Sequence, residues 1–119
     1  MKHSGPEKIT YTLRISSCTL WKLREATFNA KGNENVGEYI AECIEDSEYD
    51  LQASKANVKA TKCKDREFKI SHFRDSEKTY NEKIPVELTY ETAQKLEFGC
   101  KGDKELNELL EQYIENIIG

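Results

Sequence analysis

Residues 8–15 read Lys-Ile-Thr-Tyr-Thr-Leu-Arg-Ile, an unbroken alternation of polar Lys8, Thr10, Thr12 and Arg14 with apolar Ile9, Tyr11, Leu13 and Ile15. A period of two, rich in β-branched and aromatic residues, predicts a half-buried strand. Ser16 and Ser17 follow as helix caps, and Leu20, Leu23, Ala26, Thr27 and Ala30 then recur at helical spacing up to Lys31-Gly32-Asn33. Asn35 caps a second predicted helix with Val36, Tyr39, Ile40, Cys43, Ile44, Ser47 and Leu51 along one face.

The same order returns in the C-terminal third. Residues 82–88 form a short strand with Ile84, Val86 and Leu88 on one face, and Thr89 caps a helix carrying Ala93, Leu96 and Cys100. A break at Lys101-Gly102-Asp103 precedes a last helix with Leu106, Leu109, Leu110, Tyr113, Ile114, Ile117 and Ile118. Sliding the chain by 73 residues sets Ile15 on Leu88, Leu20 on Ala93 and Leu23 on Leu96. Sliding it by 70 sets Gly32 on Gly102, Val36 on Leu106, Tyr39 on Leu109, Ile40 on Leu110, Cys43 on Tyr113 and Ile44 on Ile114. The predicted organisation is a first unit at 8–51, a basic connecting segment at 52–81 and a second unit at 82–119.

A chain of 119 residues is enough for one core and little more. No stretch approaches the ~20 apolar residues of a membrane span, and residues 1–15 lack a signal-peptide core, so a cytoplasmic protein is expected. The net charge of −4 hides an asymmetry. Residues 1–54 carry six Lys/Arg against nine Asp/Glu, residues 55–81 eight against four, and residues 82–119 four against nine. Only the local field governs a small interface, so the global sign does not exclude a polyanionic partner. Lys and Glu together make 31 residues, a bias reported for hyperthermophiles.

Cys18, Cys43, Cys63 and Cys100 form no CxxC pair, and His3 and His72 are the only histidines. Clustered metal ligands are absent from this pattern, and buried free thiols are the expectation. No Ser/His/Asp or Cys/His set, P-loop or GxGxxG occurs, so neither catalysis nor a cofactor is expected.

A lone strand leaves its ladder groups unpaired, and a unit of about 45 residues buries two helical stripes poorly. Pairing strand 8–15 antiparallel with strand 82–88 meets both needs within one chain, which predicts a folded monomer in isolation. The stretch Thr10-Tyr-Thr-Leu-Arg-Ile-Ser-Ser, then Leu20 and Leu23, then Gly32 and a capped helix, resembles the ribbon-helix-helix family of DNA-binding regulators. With both units, the resemblance covers about 85 residues, and similar layouts occur among plasmid-transfer and archaeal-virus regulators. It implies a mainly α fold with a two-stranded antiparallel ribbon, two tandem ribbon-helix-helix units forming one pseudo-two-fold domain.

The resemblance also implies the function: a sequence-specific transcription regulator that inserts its ribbon in the major groove of double-stranded DNA, with neighbouring molecules binding side by side. It assigns base contacts to Thr10, Thr12 and Arg14 of the first strand. Arginine grips guanine O6 and N7 with two bonds, and threonine offers a hydroxyl and a methyl. The matching outward positions of the second strand are Lys83, Pro85 and Glu87. Lys83 is the clearer contact there, Glu87 suits cytosine N4, and the alternative is a purely structural strand. Pro85 is expected where its missing N–H points away from the partner strand. Phosphates are expected at Lys8, at Asn35, Val36 and Gly37, where a helix N-terminus favours an anion, and more weakly at Lys104, between Asp103 and Glu105. The segment 52–81, with a short strand or packed turn expected at 66–73, is a solvated connection, a basic arm on the DNA backbone or a contact between neighbours. The acidic last helix, with Glu105, Glu108, Glu111 and Glu115, keeps open a second function, an antitoxin or adaptor that binds protein.

Overall fold

The computed structural model describes residues 8–47, 64–71 and 79–119. Within them the chain runs β1 (Lys8–Ile15), α1 (Ser17–Lys31), α2 (Val36–Ser47), β2 (Arg66–Lys69), β3 (Glu82–Thr89), α3 (Tyr90–Gly99) and α4 (Asp103–Ile118). The alternation of β1 determines its two faces: Ile9, Tyr11, Leu13 and Ile15 are buried, and the even-numbered side chains face outward. β3 repeats this with Ile84, Val86 and Leu88 inward. The two strands pair antiparallel over their full length, from Lys8 opposite Thr89 to Ile15 opposite Glu82.

The helices start and stop where the local chemistry directs. Ser16 accepts the Thr19 amide at 3.1 Å to open α1, and Gly32, at φ 81°, takes the left-handed conformation that closes it. Thr89 accepts the Thr92 amide at 3.2 Å to open α3. The stripe Val36, Ile40 and Ile44 of α2 and the stripe Leu106, Leu110 and Ile114 of α4 are buried in one core with the inner face of the sheet. α1 lies on α2 and α4 through Thr19, Leu23 and Thr27. Leu51, the last predicted position of the second helix, lies outside the described residues.

The expected fold class does not hold. In place of a two-stranded antiparallel ribbon with two tandem ribbon-helix-helix units, the described residues form four helices and a three-stranded mixed sheet in the order β2-β1-β3. The physical reason is the second edge of β1. Paired with β3 alone, β1 leaves a row of N–H and C=O groups open on its other side. β2 closes that side in parallel, with Tyr11 opposite Arg66 and Arg14 opposite Lys69, and the Ile70 amide continues the ladder to Arg14 O at 2.9 Å.

β2 has only four residues, so its side chains must hold it. Phe68 and Ile70 are buried, and the Phe68 ring meets Tyr11 edge-on at 5.2 Å. Arg66 lies over the Phe68 ring, contacts Glu97 of α3 at 3.3 Å and bonds Asp103 of α4 at 2.5 Å. Tyr11 donates its hydroxyl to the same Glu97 carboxylate. Burial works against the Arg66 charge, but the Asp103 bond and the Glu97 field outweigh it and raise the pKa of the guanidinium. One polar network thus ties β1 and β2 to both C-terminal helices.

On the opposite edge, the start of α2 lies against β3. A Cβ placed on Gly37 would stand 2.3 Å from the Pro85 carbonyl oxygen, so only glycine permits this approach. The same contact orients Pro85. Its carbonyl points to α2, away from β1, and in an antiparallel ladder the N–H side of a residue follows its carbonyl. The proline therefore removes no bond from the β1–β3 ladder.

Two substitutions test these supports by chemical denaturation. Gly37→Ala is expected to cost about 1–3 kcal/mol because a backbone carbonyl must move, whereas Gly99→Ala, with nothing within 4 Å, is expected to be neutral or stabilising. Arg66→Gln is expected to cost about 1–3 kcal/mol by leaving Glu97 and Asp103 without their cation. An unchanged midpoint would mean that β2 is held by its apolar contacts alone.

Candidate functional site

β1 is the central strand, so its outward residues occupy the middle of the exposed sheet face. Register arranges that face in rows. Thr10 lies beside Glu87; Thr12 stands between Glu67 and Pro85; Arg14 stands between Lys69 and Lys83. The base-contact candidates Thr10, Thr12, Arg14, Lys83 and Glu87 are therefore brought onto one surface, with Lys8 exposed at the entry to β1.

The Arg14 row carries a cation on each of three strands. Strand spacing of about 4.8 Å makes the row roughly 10 Å wide at the backbone. Arg14 is 44% exposed, and Lys83 62%. Arg14 Nη2 donates to the Tyr80 carbonyl at 3.4 Å, and Lys69 Nζ lies 5.0 Å from the centre of the Tyr80 ring. Among the described residues a single carboxylate, Glu67, serves the row from β2: it is 3.7 Å from Arg14 Nε and 3.8 Å from Lys83 Nζ. Arg14 Nε itself is buried and has no hydrogen-bond partner among the described residues. Among the described residues the row therefore holds three cations against one carboxylate.

Glu67 and Tyr80 are functional candidates that the sequence reading did not single out, whereas Lys69 belongs to the basic segment 52–81 already offered to the DNA backbone. Their signal was present: from Arg66 to Ile70, Phe68 and Ile70 alternate with Glu67 and Lys69 in the same way as β1 alternates. That pattern is the short strand expected within 66–73, and it leaves Glu67 on the outer face.

The phosphate candidates are placed less uniformly. Asn35 is exposed, Val36 is buried in the core, and Gly37 is pressed against Pro85. These residues do lie at the sheet's β3 edge, but the Asn35 amide bonds Glu38 at 3.4 Å, which sets a carboxylate in the first turn of α2. Beside them a groove of about 650 Å³ is lined by Glu38, Glu42, Glu45 and Asp46 of α2 together with Lys8 and Glu87. Glu45 is engaged there, accepting the Thr89 amide at 2.9 Å and the Thr92 hydroxyl at 2.6 Å. Lys104 is exposed in the first turn of α4, where Asp103 is taken by Arg66 and Glu105 accepts the Lys101 amide at 3.0 Å. Both helix starts are thus already supplied with side-chain carboxylates, which disfavours a phosphate at either one.

Thiol chemistry finds no support on the described surface. Cys18, Cys43 and Cys100 are free, and burial pushes the Cys43 and Cys100 thiols above their ordinary pKa, away from the reactive thiolate. Cys63 and His72 lie outside the described residues. Among the described residues no group of three or more His, Cys, Asp or Glu is placed to hold a metal ion. No described helix is long and apolar enough to cross a membrane. Comparison with protein-family models, curated proteins and solved structures finds no match to this chain.

Proposed function

We propose that this chain is a sequence-specific regulator of transcription that presents the outer face of its sheet to the major groove of double-stranded DNA. The observation that carries the reading is the row Lys69–Arg14–Lys83 on a face whose central strand also turns Thr10 and Thr12 outward. Its second support is the resemblance of β1 and the helices after it to ribbon-helix-helix regulators. The groove, about 12 Å wide, takes a two-stranded ribbon, which β1 and β3 form along the whole length of β1. β2 accompanies β1 only from Tyr11 to Arg14, so the Lys8–Thr10 end of the face is narrower by one strand.

Within that reading Arg14 reads guanine, Thr10 and Thr12 make hydroxyl and methyl contacts, and Lys8, Lys69 and Lys83 meet phosphates. Glu67 has a dual part. Free of DNA it holds Arg14 and Lys83 in place; on DNA it must release at least one of them or repel the backbone. Glu87 and the acidic groove beside α2 bound the footprint on the β3 side. That groove is also what favours the alternative, a protein-binding adaptor whose partner is basic.

Selection of bound duplexes from a random pool, followed by anisotropy titrations, tests the proposal. A preferred site is expected, with log affinity falling against log salt at a slope of about −3 to −4 for three or four neutralised phosphates. Arg14→Ala is expected to lose about 10–100-fold on the best site while leaving binding to unrelated duplexes nearly unchanged. Failure to retain any duplex at low salt would refute the reading, and salt-insensitive capture of a basic protein would favour the adaptor. Glu67→Gln is expected to raise affinity for all duplexes and steepen the salt slope by up to about one. Weaker binding by this variant would show that Glu67 contributes a contact rather than restraining one.

A further inference from the structure

α1 buries Thr19, Leu23 and Thr27 against α2 and α4, and on its other side it exposes the two largest apolar groups of the described surface. Trp21 is 65% exposed and Phe28 56%. Single exposed apolar residues are ordinary. These two are seven residues apart, two helical turns, and so stand on one line along the helix. Arg24 and Glu25 lie between them, both exposed. At about 100° per residue, Arg24 falls about 50° to one side of the Trp21–Phe28 line and Glu25 about 50° to the other.

We propose that this stripe is the docking surface for the same stripe of a second copy, with the two α1 helices parallel about a two-fold axis running between them. The charges select both the occupant and the orientation. In a parallel two-fold pair, a side chain left of the midline meets one right of the midline on its partner, so Arg24 faces the partner's Glu25 twice over. Trp21 then packs on the partner's Trp21, and Phe28 on the partner's Phe28. An antiparallel pair would instead set arginine beside arginine and glutamate beside glutamate. Aromatic rings flanked by a charged pair are the composition that concentrates binding energy at interfaces. The contact area is small, so the association is weak, visible at tens to hundreds of micromolar. α1 packs chiefly on α2 and α4, and its outward stripe lies opposite the residues it buries, so the pairing leaves the outer face of the sheet uncovered.

Trp21 is the single tryptophan, which makes it a direct reporter. With the full chain, sedimentation equilibrium is expected to show mass rising from 13.7 kDa toward twice that value with concentration, together with a shift of Trp21 emission to shorter wavelength. Trp21→Ala is expected to abolish the rise. Arg24→Glu is expected to weaken association at least about threefold, and the double variant Arg24→Glu with Glu25→Arg to restore it. A monomer at every concentration would overturn the proposal, as would association unaffected by Trp21→Ala. A single swap without effect would overturn the parallel arrangement, because exchanging one like-charge pair for another changes little. None of these outcomes depends on DNA, so they are separate from the fate of the proposed function.

Discussion

The structure depends on the position of β1 in the middle of the sheet. An eight-residue strand with four buried apolar side chains cannot leave either row of backbone groups in an apolar setting without partners. Its partners come from the distant residues 82–89 on one side and 66–69 on the other. Both pairings bury the same inner face, so satisfying the backbone of β1 also gathers Ile84, Val86, Leu88, Phe68 and Ile70 into one core with the helices. The outer face follows from this by alternation alone: what β1 does not bury, it displays at the centre.

Much of this is written in local patterns. The period of two at 8–15 assigns Thr10, Thr12 and Arg14 to the outer face, and Ser16, Gly32 and Thr89 mark helix ends where caps are found. The antiparallel partner of β1 follows from the need to pair a strand. β2 was only partly legible: a short strand or turn is readable at 66–73, but nothing local shows that Arg66 contacts helices more than thirty residues away in sequence. The stripe read for α1 is found at Leu23 and Thr27, with Leu20 packed against the core, while Ala30 at its end is exposed. Trp21 and Phe28 are bulky and apolar, yet they point outward, and the buried stripe uses two threonines, one of which bonds the Leu23 carbonyl at 2.7 Å. Val36 shows the same limit in reverse: a residue at a helix start, offered to phosphate by position, is taken by the core.

Charge on the sheet face is arranged more tightly than composition suggests. The +4 of residues 55–81 is an average over a segment, but what matters at the surface is that β2 delivers one lysine and one glutamate on alternate outward positions. The lysine extends the cationic row, and the glutamate restrains it. Long side chains held in place before binding lose less freedom when they bind, so the same carboxylate that lowers the net charge also pre-arranges the groups that remain. The groove beside β3, lined by Glu38, Glu42, Glu45 and Asp46, borders the cationic row with carboxylates on that side.

The sequence distance between β1 and its partners has a consequence for synthesis. A ribosome adds about 5–20 residues each second, so the first strand emerges seconds before Glu82–Thr89 exists to receive it. During that interval its four apolar side chains and both edges have no native partner, and α1 and α2 can form only as isolated helices of marginal stability. Closure must await residues 82–89, and a translation product interrupted before them would expose a β-prone segment. The nascent chain is therefore most vulnerable to aggregation at β1, and pairings this distant in sequence form slowly.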